Sequence, residues 1–168
     1  MLRYLDVQNI LDKNDLILQE SGCVGSENER GNTYMKKIGI VTDSHSSISQ
    51  EEAEKLGIFV LPMPFYIDGE CFYESVTLSR ELFFEKLAAG ADITTSQPSP
   101  TAVMEIWDKA LEQFEKILYM PISSGLSGSY ETAMMLAKDE AYEGRVLVVD
   151  DGQVAAPLHQ MVLDTLDM

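Results

Sequence analysis

From Lys36 onward, short apolar runs alternate with segments of helical period. The run over residues 37–42 predicts a strand, and Gln50–Leu56 predicts a helix after it. A longer apolar run covers residues 58–67. It ends in Asp68-Gly69, which predicts a hairpin turn because glycine accepts the positive φ such turns need, with Glu70–Tyr73 as the return strand. Residues 79–89 predict a helix capped by Thr77 or Ser79 and stopped by Gly90. Ser99 caps another, with Pro100 in its first position, running to about Phe114 and burying Val103, Ile106, Trp107 and Leu111 on one side. A strand over 117–122, a helix over 129–138, a strand over 146–149 and a last helix over 158–166 complete the series. Strand–helix alternation of this kind predicts an α/β fold, a mainly parallel sheet with helices on both faces.

Residues 1–34 depart from this rhythm. Leu5, Ile10, Leu11 and residues 16–18 would line a short helix, followed by a polar, glycine-containing stretch. They read as an extension and linker ahead of an α/β domain over residues 35–168, and Met35 would serve equally well as a start.

The chain has 168 residues, 45% apolar and 24% charged, which places it among folded globular chains rather than disordered or membrane ones. A net charge of −16 repels phosphate backbones, so no nucleic acid partner is expected. Cys23 and Cys71 stand far apart, outside any C-x-x-C pattern, and provide neither a disulfide framework nor a zinc site. Asp6, Asp12 and Asp15 interrupt any signal-peptide core, and no run of about 18 apolar residues occurs. These features predict a cytoplasmic protein that is not inserted in a membrane and needs no cofactor.

In open parallel α/β sheets, ligands bind beyond the carboxyl ends of the strands. The loops expected there are Thr42-Asp43-Ser44-His45-Ser46-Ser47, Thr94-Thr95-Ser96-Gln97-Pro98-Ser99 and Ser123-Ser124-Gly125-Leu126-Ser127-Gly128-Ser129, all crowded with hydroxyls. Taken singly, each loop is equally well explained by helix capping and tight turns. No Lys or Arg lies in them, and both the P-loop order and G-x-G-x-x-G are missing, so a polyphosphate would meet too little positive charge. One carboxylate is a better match, held by hydroxyls and backbone N–H groups. A serine hydrolase is the rival reading: Ser127, His45 or His159, and Asp43 or Asp150 supply the residue types of a triad. The spelling Gly125-Leu126-Ser127-Gly128-Ser129 is not G-x-S-x-G, however. Asp43, Asp150 and Asp151 fall at strand ends but are better read as caps than as metal ligands. A non-catalytic interaction module without ligand is the third reading.

Four segments carry a family resemblance: Ile38-Gly39-Ile40-Val41-Thr42-Asp43-Ser44, Thr94-Thr95-Ser96-Gln97-Pro98-Ser99-Pro100, Ile122-Ser123-Ser124-Gly125-Leu126-Ser127-Gly128-Ser129-Tyr130 and Val148-Val149-Asp150. In order and spacing, residues 36–151 resemble the amino-terminal domain of DegV proteins. The resemblance implies a bacterial fatty-acid-binding protein that presents a long-chain fatty acid to a separate fatty acid kinase subunit. It also implies that Thr95 and Ser127 hold the carboxylate, with Ser96 and Ser124 as near alternatives and Gly128 and Ser44 beside them. Thr95 and Ser127 are accordingly expected to approach one another. Where the family has V-I-D-S followed by small residues, Asp150 is followed here by Asp151-Gly152 and then Pro157. The resemblance further implies a second domain that encloses the lipid and adds a basic residue and a His. The chain stops short of it, so weak lipid binding, if any, is expected, with the uncovered apolar surface met by a partner, by self-association or by rearranged terminal segments such as residues 1–34 or the final helix.

Overall fold

The computed structural model describes residues 36–73 and 76–168, and the extension expected over residues 1–34 lies outside them. Strand β1 (Lys36–Asp43) is central to a four-stranded sheet, flanked by β2 (Phe59–Leu61) and β6 (Phe114–Met120), with β7 (Val146–Val148) beyond β6. All three pairings are parallel, with Val41 opposite both Phe59 and Tyr119, and Tyr119 opposite Val148. Strands buried on both faces need apolar residues in both registers, and the alternation divides them. Val41, Ile117, Tyr119, Val146 and Val148 face one core, where α3 (Pro100–Leu111) and α4 (Ser129–Leu136) add Val103, Trp107 and Ala133. Ile40, Val60, Leu118 and Met120 face the other, against Ala53 of α1 (Gln50–Leu56) and Leu158 and Val162 of α5 (Ala156–Leu166). The sheet is therefore mainly parallel with helices on both faces. Trp107 is fully buried and meets Tyr119 and Tyr142 edge-on, at ring centroid distances of 5.5 and 5.2 Å.

A second, antiparallel sheet stands beside the first, with β3 (Pro64–Ile67) between β4 (Glu70–Tyr73) and β5 (Ile93–Thr95). The hairpin joins β3 to β4 through Asp68 and Gly69, at φ of 50° and 84°. Helix α2 (Arg80–Ala88) follows it, capped by Ser79, whose Oγ accepts a hydrogen bond from Leu82 N.

The second sheet alters two expectations. The apolar run over 58–67 is two strands in different sheets, parted at Pro62-Met63, and Pro64 opens β3 where a missing N–H costs no ladder bond. Thr94 and Thr95, expected within a loop, instead belong to β5 and pair with β3, Thr95 opposite Phe65. Phe114, expected at the end of a helix, instead opens β6, where it pairs with Lys36.

Candidate functional site

The turn after β1 is built on Asp43, which is fully buried. Its Oδ2 accepts a hydrogen bond from Ile122 N at 2.7 Å and its Oδ1 one from His45 N at 2.9 Å, so one side chain ties the ends of β1 and β6 together. Ser46 Oγ donates to Asp43 O at 2.8 Å and closes a 3₁₀ turn over Ser44–Ser46. Ser44 Oγ accepts from Met63 N at 3.1 Å, which leaves its own proton uncommitted among the described residues. His45 Nδ1 is buried 3.3 Å from Asp43 Oδ1, in a geometry that makes no hydrogen bond.

In the loop over 123–129, the Ser124 hydroxyl donates to Asp150 Oδ2, while Ser124 N and Gly152 N donate to Asp150 Oδ1 at 3.3 and 3.1 Å. Burial pushes the Asp150 carboxyl up, but these hydrogen bonds outweigh it and hold the group below the usual carboxylate range. Asp151 is shifted the other way: its own burial and the charges of Asp150 and Asp43 raise it against the hydrogen bond from Gln153 N and the pull of its own backbone N–H. Ser127 Oγ lies 2.8 Å from Ser129 Oγ and accepts from Ser129 N at 3.2 Å. Of the candidate triad residues, His45 and Asp43 stand together, while Ser127 is paired with Ser129 and Asp150 with Ser124. His159 Nε2 is 3.3 Å from Glu52 Oε1.

The loop over 94–99 reaches this one through Gln97. Its Oε1 accepts from Thr132 Oγ1 of α4 at 3.5 Å and lies where a Cβ on Gly128 would stand 3.0 Å away. A side chain at position 128 would press against that carbonyl, which gives Gly128 a packing reason independent of any ligand. Ser96 Oγ donates to Gln97 O at 3.2 Å, whereas the Thr95 hydroxyl makes no hydrogen bond among the described residues.

Ser44, His45, Thr95 and Ser96 form the polar end of an open cavity of about 280 Å³. Met63, Pro64, Phe65, Leu78, Phe83, Phe84 and Ile93 supply its apolar wall, and Ser79 borders it. Ser124, Ser127 and Gly128 are not among its lining residues. The loops and their hydroxyls are prominent in the sequence, but the apolar wall is not. Its signal lies in the helix over 79–89, where Leu82, Phe83, Phe84 and Leu87 are not gathered on one stripe, as a helix with a second apolar surface to cover would require. Among the described residues, no group of three or more His, Cys, Asp or Glu converges that could hold a metal ion, and no helix is long and apolar enough to cross a membrane.

The family model described as "Uncharacterised protein, DegV family" matches residues 37–168. A DegV domain-containing protein of Caldanaerobacter subterraneus is 36% identical over 116 residues, 69% of this chain and 41% of the relative. A solved DegV family protein of Thermus thermophilus, described as binding fatty acid, shares 32% identity at a TM-score of 0.70, over 78% of this chain and 46% of its own. A Thermotoga maritima protein whose structure is described as revealing fatty acid binding function shares 26% identity at a TM-score of 0.68, over 80% and 49%. The chain spans under half the length of each of these relatives.

Proposed function

The chain belongs to the DegV family, and on that premise we propose that it contributes the headgroup side of a fatty-acid carrier, holding a long-chain acid without turning it over and presenting its carboxylate to a fatty acid kinase. The observation that carries this reading is the division of the cavity: hydroxyls of Ser44, Thr95 and Ser96 at one end, and Met63, Phe65, Phe83 and Ile93 along the rest. An acyl chain with a terminal carboxylate has the same division. Ser44 and Thr95 suit the carboxylate best, because each still has a proton to donate, whereas the Ser96 proton goes to Gln97 O. Ser124 is a weaker candidate for the same reason, its proton being held by Asp150. Ser127 and Gly128 fit a supporting place, through the Gln97 bridge between their loop and the one that carries Thr95.

Native mass spectrometry of the full chain expressed in bacteria tests the ligand class, with a co-purifying fatty-acid mass as the expected result. Thr95→Val should reduce occupancy about tenfold, the scale of one hydrogen bond to a charged group. A chain that takes up no acid even when it is added in excess would end the carrier reading. Hydrolysis of short acyl esters that disappears in Ser127→Ala would replace it with the hydrolase.

A further inference from the structure

A carboxylate bound among Ser44, Thr95 and Ser96 would enter a protein whose Asp and Glu outnumber Lys and Arg 28 to 12. Neutral hydroxyls satisfy its hydrogen bonds but leave its charge uncompensated. Among the described residues on the cavity wall, His45 is the one side chain able to carry positive charge. We propose that His45 is this domain's cationic contact to the bound carboxylate; this inference rests on the carrier reading above and adds a residue that favours an acid over a neutral lipid.

The geometry gives the imidazole two different edges. Nδ1 is buried 3.3 Å from Asp43 Oδ1 without a hydrogen bond to it, so the Asp43 carboxyl lies against one edge of the ring. The Asp43 carboxyl is in turn fixed by Ile122 N and His45 N, so the pair is braced against the ends of two strands. The ring itself keeps 37% of its side-chain surface exposed, so a ligand can reach it. Ala155 N donates to His45 O at 2.7 Å and holds the turn in place from the far side.

The elements that meet this turn bring Asp43 from β1, Asp150 and Asp151 from the segment after β7, and His159 from α5, whose Nε2 faces Glu52 of α1. Across the cavity α2 carries Glu81, Glu85 and Lys86. The groups nearest the turn are thus mostly carboxyls, and a bound carboxylate adds one more. A cationic contact requires both ring protons, so acid binding strengthens as pH falls.

The test is a fluorescence titration of the full chain with cis-parinaric acid and with its methyl ester at pH 6 and pH 8. The unsubstituted protein is expected to bind the acid about tenfold more tightly at pH 6 and the ester equally at both. His45→Gln should remove that tenfold preference and leave ester binding unchanged, while His45→Arg should hold the acid tightly at both pH values. Acid binding by His45→Gln that matches the unsubstituted protein at both pH values overturns the inference and leaves the carrier reading intact. Should His45→Gln lose acid and ester together, His45→Arg decides: recovery of acid binding supports the contact and failure overturns it. An unsubstituted chain that binds neither acid nor ester at either pH brings down both readings.

Discussion

Asp150 and Asp151 are adjacent, yet the protein shifts their titrations in opposite directions. Asp150 is held low by hydrogen bonds that outweigh its burial, so it stabilises the fold above the ordinary carboxyl value near 3.9, and that contribution is lost as pH falls through its lower folded value. Ser124→Ala removes the shortest of those bonds and should cost on the order of 1 kcal/mol at pH 7, a loss that narrows in acid. Asp151 works the other way: burial and the charges of Asp150 and Asp43 raise it, so the folded chain binds the proton more tightly than the unfolded chain. Stability then falls as pH rises from about 3.9 through the raised folded value and stays lower above it. Asp151→Asn keeps an oxygen for Gln153 N and sheds the charge, so it should raise Tm at pH 7 by about 2–4 °C and leave Tm unchanged below about pH 4. Thermal melts at the two pH values check both substitutions, and an Asn variant that melts lower at pH 7 would contradict the linkage. The hydroxyl-rich loops themselves were legible in the sequence. The state of each hydroxyl was not, because the proton of Ser124 is taken by a residue 26 positions away, a distance that spacing cannot cross.

At the scale of elements, β1 and β6 are joined by more than their ladder. The Phe114 ring lies over Gly39 so closely that a Cβ there would meet its atoms at 2.6 Å, and Phe59 packs edge-on against the same ring at 6.3 Å. Gly39→Ala should therefore cost about 1–3 kcal/mol by overpacking. Phe114→Leu should lose packing energy alone but recover part of the alanine's cost in the double variant, a coupling of at least about 0.5 kcal/mol measurable by a denaturation cycle. Strictly additive effects would mean that the ring simply moves aside. Local signals in the sequence found most elements: of the expected caps, Ser79 and Ser99 each accept a hydrogen bond from the N–H three residues on, and Asp68-Gly69 turns the hairpin at positive φ. The hairpin of the small sheet was legible, but its separation from the first sheet and its third strand were not, because β3 is continuous with β2 in hydrophobicity, and because Ile93-Thr94-Thr95 is three residues long and takes its partner from residues 65–67. Nothing local marks either.

Across the whole molecule, the cavity is closed on one side and open on the other. Its volume of about 280 Å³ lies at the lower edge of the range of about 300–1,000 Å³ typical of ligand sites, and Leu82, Phe84 and Leu87 of α2 remain 42–53% exposed nearby. Apolar surface left open in this way buries little of a long ligand, whatever the headgroup gains. Each fully buried methylene contributes about 0.8 kcal/mol, close to a fourfold gain in affinity. For this chain the gain should hold only for the methylenes next to the carboxylate. Further ones would lie along α2 with one face in water and add much less. Titration with saturated acids from C8 to C18 at fixed pH should accordingly give a slope that flattens with length, and Phe84→Ser should lower only the long-chain end of the series. A constant fourfold gain per methylene out to C18 would mean that the chain closes around the whole tail, alone or with a second copy. Repeating the series at two protein concentrations separates those cases, since only an assembly of copies makes the slope depend on concentration.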